Sequence, residues 1–192
     1  MVNDAKESSK CEDDRVSPGA NNRILAIELR YRRFGFAVFE FPKQLLDAGA
    51  RSFNSSSEIV VPLRSIISIF RPSMIVFKLA VHNDHRYRPG MIPTVECMRD
   101  EAKRHSIPVE CVTLAQVQNA LATHPKTKAQ IAAFVAQAFP NLSHKLPPER
   151  KPWIPEGWSM AAFDAIALGL ACLQNLSAKS PGHLEEFPLD SS

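Results

Sequence analysis

The chain has 192 residues, of which 45% are hydrophobic, and a formal net charge of +3. That length is enough for one globular domain with a sizeable core. No uninterrupted apolar run approaches the roughly 20 residues that a membrane span requires, and residues 1–22 hold no apolar secretory core. These features argue against a membrane partner and a secretory leader, and they lead us to expect a cytoplasmic protein.

The charge is distributed unevenly. Acidic residues collect in the first fourteen and last ten positions, so the middle of the chain is more basic than the whole. A basic middle suits either a nucleic-acid partner or an ordinary solvated surface. The four cysteines contain no Cys-x-x-Cys pair, so we expect neither a zinc site nor a disulfide framework.

Polar ends flank one predicted domain at 22–176. Residues 1–21 and 177–192 are polar, with Pro-Gly or Ser-Pro-Gly breaks, and are predicted to be flexible tails. At the start of the domain, residues 24–28 and 34–41 predict paired strands joined by a short Arg-rich turn. A third strand is predicted at 50–54.

Strands and helices then alternate. Apolar residues recur at three- and four-residue steps from 59 to 70, which predicts a helix. The short apolar run at 74–80 is typical of a buried parallel strand, and a second follows at 109–112, after an amphipathic stretch at 92–105. A hairpin followed by such alternation predicts an α/β fold with a mixed sheet.

The last third of the chain is predicted to be helical. Thr113 is a good N-cap for a helix that continues to 121. A second helix begins with Lys126 and Lys128, whose charges oppose the helix dipole and are explained by phosphate contacts or by solvation. After a Pro-rich loop, the final helix is predicted at 158–176.

The two ends of the domain carry acids in a recognisable arrangement. The strand Ile24-Leu25-Ala26-Ile27 stops on Glu28, a basic turn follows, and Asp164 lies in the apolar helix Ala161-Ala162-Phe163-Asp164-Ala165-Ile166. This order resembles the ribonuclease H-like fold, and within it the RuvC-type Holliday-junction resolvases. The resemblance implies an α/β fold with a mixed five-stranded sheet, three antiparallel strands followed by two parallel ones, and flanking helices.

The resemblance also implies a Mg²⁺ site made by four acids. Two of the positions hold Glu28 and Asp164, the candidate catalytic and metal-binding residues, but the other two hold Lys78 and Ala161, which cannot bind Mg²⁺. A rearranged site needs a third acid, which could come from Asp84, Glu96 or Glu40. Alternatively, Lys78 forms a salt bridge with Glu28 and Asp164 in place of the metal.

Several basic side chains are candidates for binding nucleic acid. A solvated surface is the alternative for the hairpin arginines and for the loop after the fourth strand. The candidates are Arg30, Arg32, Arg33, Lys78, Arg86, Arg88, Lys126 and Lys128.

Three functions fit the sequence. The first is a RuvC-like protein with a degenerate metal site, which binds branched or duplex nucleic acid, most often DNA, through basic surfaces and has little or no catalysis. The second is a Mg²⁺-dependent endonuclease or junction resolvase with a rearranged carboxylate set, acting in DNA recombination and repair. The third uses the scaffold to dock a protein partner, and a homodimer is compatible with each.

Overall fold

The computed structural model describes residues 22–78, 91–121, 127–146 and 157–179. A 3-10 helix at Pro140–Lys145 precedes the last helix. The strands and α-helices are β1 (Arg23–Arg30), β2 (Arg33–Glu40), β3 (Gln44–Ser52), α1 (Val60–Phe70), β4 (Met74–Lys78), α2 (Ile92–Arg104), β5 (Val109–Val112), α3 (Leu114–Ala120), α4 (Lys128–Ala138) and α5 (Trp158–Lys179).

The five strands form one mixed sheet in the order β3-β2-β1-β4-β5. The first three strands pair antiparallel, whereas β4 runs parallel to β1 and β5 parallel to β4. The predicted mixed five-stranded sheet of the ribonuclease H-like fold is therefore confirmed. Because Ile27 of β1 lies beside Phe77 of β4, the next residues, Glu28 and Lys78, emerge side by side at one end of the sheet.

Strand β3 lies earlier in the chain than predicted. It spans Gln44–Ser52 rather than 50–54, and its nine residues are exposed or half-buried. Asp47 and Gly49 break any apolar alternation, so the segment has little strand signal of its own. Its backbone is ordered by pairing with β2, with a register shift between Val38 and Phe39.

The two faces of the sheet carry different helices. Leu25 and Ile27 of β1 pack in the core beneath α1 and α2, whereas Ile24 and Ala26 pack in the core that includes α3, α4 and α5. Side chains alternate along a strand. Glu28, the next even-numbered residue, therefore faces the α5 side of the sheet.

A glycine sets how closely α5 approaches the sheet. Gly35 is the register partner of Glu28, and a Cβ built on it would lie 1.8 Å from the backbone oxygen of Ala161. No side chain fits in that space, so glycine is required for α5 to lie directly on β2. This contact places Asp164, one helical turn beyond Ala161, near the end of β1.

Helix α5 is the central helix of the domain. It extends to Lys179, so residues 177–179, predicted to begin the C-terminal tail, form its last turn. By length and composition alone, Ser159–Ala178 could cross a membrane, and 72% of that segment is buried inside the protein. Its apolar residues are those of a helix that packs across a sheet.

Two short capping motifs start the neighbouring helices. In α3, the Thr113 side chain accepts a hydrogen bond from the backbone N–H of Gln116, and the Gln116 side chain accepts one from the Thr113 N–H. Thr127 and Gln130 repeat this arrangement at α4. These caps satisfy backbone donors at both helix starts and fix Lys128 at the first position of α4.

Candidate functional site

The two predicted site carboxylates lie in one small cavity. Glu28 is 6% exposed at the end of β1, and Asp164 is 9% exposed on α5. The cavity, closed on its other sides by residues of α3 and α4, has a volume of about 60 Å³. That is room for a few water molecules, so a nucleotide would contact its mouth rather than enter it.

Lys78 neutralises Glu28. Its Nζ atom donates a hydrogen bond to Glu28 Oε1 at 2.8 Å, across the parallel pair of β1 and β4. Both side chains are largely buried, at 21% and 8% exposure. The predicted salt bridge between these two residues is confirmed by this contact.

Asp164 is neutralised by two other cations. Arg30, two residues after Glu28 and on the same face of β1, donates a hydrogen bond to Asp164 Oδ2. Lys128 Nζ lies 3.6 Å from the same oxygen. The prediction that Lys78 would also pair with Asp164 is thus replaced by ion pairs from β1 and α4.

Burial and the neighbouring charges shift the pKa values of Asp164 and Lys128. Burial and the nearby Glu28 raise the pKa of Asp164, against the opposing effects of Arg30 and Lys128. Burial, together with Arg30 and Lys78, lowers the pKa of Lys128 to about 8, although Asp164 and Glu28 favour its charged form. Lys128 is therefore still mostly cationic at neutral pH.

The donor set that the described residues supply does not fit Mg²⁺. A magnesium site needs several oxygen ligands in octahedral geometry, and here each carboxylate is already bound by a cation. Within the described parts of the chain, no group of three or more His, Cys, Asp or Glu side chains could hold a metal ion. Ala161, which the resemblance aligns with a metal ligand, is completely buried.

The structure also locates the acids that were candidate substitutes. Glu40 pairs with Arg23 at 3.0 Å, at the opposite end of β1 from Glu28. Arg23 and Glu28 are five residue steps apart along β1, or roughly 17 Å. Glu96 lies on α2, which covers the other face of the sheet. Neither acid can complete the site, and Asp84 lies outside the described residues.

Further cations lie at the same end of the sheet. Arg33 begins β2 beside Arg30, and burial and that neighbour lower its pKa. Arg51, near the end of β3, stacks over the Phe36 ring at 5.0 Å from the centroid. Arg51 lies within the strand predicted at 50–54, but sequence reasoning did not single it out. Three predicted nucleic-acid contacts lie outside the described residues: Arg86, Arg88 and Lys126.

Comparison with known proteins identifies the fold. No protein-family model and no curated protein sequence matches the chain. Among solved structures, it is similar to Thermus thermophilus RuvC in complex with a Holliday junction substrate, with a TM-score of 0.58 and 17% identity over 81% of this chain and 95% of that chain. At this identity the likeness shows the fold.

Two further resolvases share the architecture. The yeast mitochondrial Holliday junction resolvase Ydc2 has a TM-score of 0.55 and 9% identity, covering 80% of this chain and 78% of that chain. The fowlpox virus Holliday junction resolvase has a TM-score of 0.53 and 8% identity, covering 80% of this chain and 99% of that chain. The resemblance predicted from the sequence is confirmed at the level of the fold.

Proposed function

We propose that this chain is a nucleic-acid-binding protein in which ion pairs replace the metal site of a RuvC-like fold. The observation that carries the proposal is that cations occupy both site carboxylates: Lys78 binds Glu28, and Arg30 and Lys128 bind Asp164. Such a protein would bind DNA without hydrolysing it. It would be a pseudoenzyme, and we assign it to DNA recombination or repair in the cytoplasm, as a monomer or homodimer.

Electrostatics supports a binding role without a metal. A fixed ammonium group about 4 Å from a divalent ion repels it by several kcal/mol at an effective dielectric near 20. The same ammonium groups attract phosphate oxygens, which supply most of the affinity in sequence-independent binding of nucleic acid. Because three cations meet two carboxylates in this cluster, one positive charge remains to attract the phosphate backbone.

The solved relatives support branched DNA as the partner. Structures of Thermus thermophilus RuvC and of the fowlpox virus resolvase contain a Holliday junction. Lys78 and Lys128 line the Glu28 and Asp164 cavity, and Arg30 and Arg33 face each other at the end of the neighbouring hairpin. We therefore propose branched DNA first and duplex DNA second.

The alternative function is a Mg²⁺-dependent endonuclease. One observation favours it, because Glu28 and Asp164 remain buried together in a single cavity. Catalysis would need a third acid, for which Asp84 is the remaining candidate, and displacement of Lys78 from Glu28.

One experiment separates these functions. The full chain is mixed with labelled four-way junction, duplex DNA and RNA in EDTA, Mg²⁺ or Mn²⁺, and binding and cleavage are recorded from the same samples. We expect binding to the junction that is equal in EDTA and Mg²⁺, with no cleavage.

The variants Glu28→Gln and Asp164→Asn test any cleavage that is seen. Loss of cleavage in both, with activity retained in the exposed control Glu96→Gln, would establish the endonuclease and overturn the proposal. If the chain neither binds nor cleaves any of the three nucleic acids, the partner-docking function replaces both.

A further inference from the structure

The turn between β1 and β2 presents an aromatic ring to solvent. Arg30 and Arg33 pair across the hairpin, so the turn consists of only Tyr31 and Arg32. The Tyr31 side chain is 62% exposed, although large aromatic residues usually bury their rings. The guanidinium carbon of Arg32 lies 5.3 Å from the centre of the Tyr31 ring, within cation–π distance.

The backbone at Arg32 has an unfavourable conformation for its residue type. Its φ angle is 56°, in the left-handed region where tight hairpin turns normally use glycine, asparagine or aspartate. A long side chain there costs about 1 kcal/mol relative to glycine. The turn is also anchored, because the Phe53 N–H donates a 3.1 Å hydrogen bond to the Arg32 carbonyl oxygen. A strained residue in an anchored turn points to a function of its side chain.

The turn adjoins the proposed binding site directly. Arg30, the residue before Tyr31, donates a hydrogen bond to Asp164, which lines the cavity. Arg33, the residue after Arg32, lies on the same face of the sheet as Gly35, the α5 face. An exposed ring flanked by cations at the edge of a phosphate-binding surface has the composition of a stacking site for single-stranded bases.

We infer that Tyr31 and Arg32 form a stacking site for a nucleobase, and this inference rests on the proposed function. The ring of Tyr31 stacks on a base whose face is exposed, while Arg33 contacts an adjacent phosphate. In a continuous duplex each base face is covered by its neighbours. The site therefore selects nucleic acid with unpaired or unstacked bases, such as a branch point or a single strand.

The test compares Tyr31→Ala and Tyr31→Phe with a matched control. Phe41→Ala removes another exposed aromatic side chain, 43% exposed, at the opposite end of β2. Each full-length variant is titrated with a four-way junction and with a blunt duplex of equal length. The junction carries 2-aminopurine at its branch point, whose fluorescence reports stacking. Thermal unfolding confirms that each variant is folded.

We expect Tyr31→Ala to weaken junction binding about tenfold and to change the 2-aminopurine signal of the complex. Affinity for the duplex should change less than about twofold, because its bases are covered by their neighbours and make no stacking contact with Tyr31. Tyr31→Phe keeps the ring and should bind as the wild type does, as should Phe41→Ala. Arg32→Gly should retain or raise the melting temperature, because the strain is relieved, and still weaken the junction complex.

The outcomes distinguish the two proposals. If the wild type binds the junction and Tyr31→Ala leaves both affinity and 2-aminopurine signal unchanged, the stacking site is wrong and the proposed function stands. An equal loss of junction and duplex binding in Tyr31→Ala also overturns the stacking site. If the wild type binds no nucleic acid, the proposed function fails and the stacking site fails with it.

Discussion

Lys78 places a positive charge among the buried carboxylates of a fold like that of the resolvases. Its ammonium group stands beside Glu28, where the resemblance places a metal-binding acid. A buried carboxylate needs a positive partner, and the lysine supplies it from within the chain. The two residues are held together by their positions on adjacent parallel strands, so the pair forms as the sheet forms.

Removing that lysine should destabilise the protein. Lys78→Met leaves Glu28 buried opposite an apolar side chain, and loss of one partner of a buried pair costs about 3 kcal/mol. The free energy of unfolding, measured by urea denaturation, should fall by that amount. The double variant Lys78→Met with Glu28→Gln removes the unpaired charge and should regain most of the loss. Equal stability of the single variant and the wild type would show that the ion pair is unimportant.

Some residue contacts could be predicted from the sequence and others could not. Lys78 and Glu28 follow buried strands that the alternation of elements makes parallel, so their proximity follows from strand order. The partners of Asp164 depend on where α4 begins relative to α5, which is a tertiary property. No sequence pattern sets that distance, so Lys128 could be predicted only as a cation near phosphate.

Helices α1 and α2 are joined by a network around one buried acid. Glu101 of α2 is 0% exposed. It accepts hydrogen bonds from Arg64 of α1 at 2.6 and 3.1 Å and from Arg104 at 3.0 Å, and His105 lies 3.2 Å away. Sequence reasoning missed this network, although an acid three residues after Met98 on the apolar side of a helix was a usable signal.

The network makes stability depend on pH at the acidic end. The hydrogen bond from Arg64 is the largest of the contacts that lower the pKa of Glu101 to about 2 from 4.5, against its burial. Between pH 2 and pH 4.5, Glu101 is therefore more often protonated in the unfolded chain than in the folded one. The contribution to stability is therefore complete above pH 4.5 and is lost as the pH falls towards 2.

Glu101→Gln tests this dependence. The substitution should lower the free energy of unfolding at pH 7 by roughly 2 kcal/mol, because it weakens the charge-assisted hydrogen bonds from Arg64 and Arg104 to a buried acceptor. It should also flatten the decline of stability between pH 4.5 and 2. Glu96→Gln, an exposed acid on the same helix, is the matched control and should keep the wild-type profile. Urea denaturation at a series of pH values measures both, and parallel profiles for the two variants would contradict the assignment.

The close packing of α5 on β2 depends on Gly35. Gly35→Ala places a methyl group against the Ala161 backbone, where it would lie 1.8 Å from an oxygen, so the helix must move. We expect a loss of about 3 kcal/mol in the free energy of unfolding. Gly157→Ala is the control, since its Cβ would meet only Ser159 Oγ at 4.0 Å. Similar melting temperatures for the two variants would show that α5 is not held by this contact.

Elements with a clear pattern of apolar residues were predicted well, whereas strand β3, which has little such pattern, was not. Helices α1 and α2 and strands β4 and β5 lie within two residues of their predicted positions, so far as the structure describes them. Strand β3 depends on hydrogen bonds to β2, and its own sequence contains Asp47 and Gly49. Its position was therefore decided by its neighbour rather than by its residues.

Among the residues that the structure describes, several cations lie together at one end of the sheet. Arg30, Arg33 and Lys78 stand at adjacent strand ends on the α5 face, with Lys128 nearby at the start of α4. A net charge of only +3 conceals this concentration, because the acids of the chain's ends offset it in the total. Composition could therefore not show the basic surface, whereas strand order could.

That surface should give binding a steep dependence on salt. The logarithm of the junction association constant should fall linearly with the logarithm of salt concentration, with a slope of about −0.9 per neutralised phosphate. Arg33→Gln should make the slope shallower by about 0.9, which is the contribution of one phosphate contact. Arg99→Gln removes the same charge from α2, on the opposite face of the sheet, and should leave the slope unchanged. Fluorescence anisotropy between low and moderate salt measures both, and identical slopes would rule out Arg33 as a phosphate contact.

The packing of Ala161 against Gly35 limits the substitutions that the site can accept. An acid introduced at position 78 would add a third carboxylate beside Glu28 and Asp164. Arg30 and Lys128 would still be paired with Asp164. An acid introduced at position 161 would enter a completely buried site. Each of these single substitutions therefore loses stability before any cation can bind. Four acids would not be assembled at this site one substitution at a time without a less stable protein at each step.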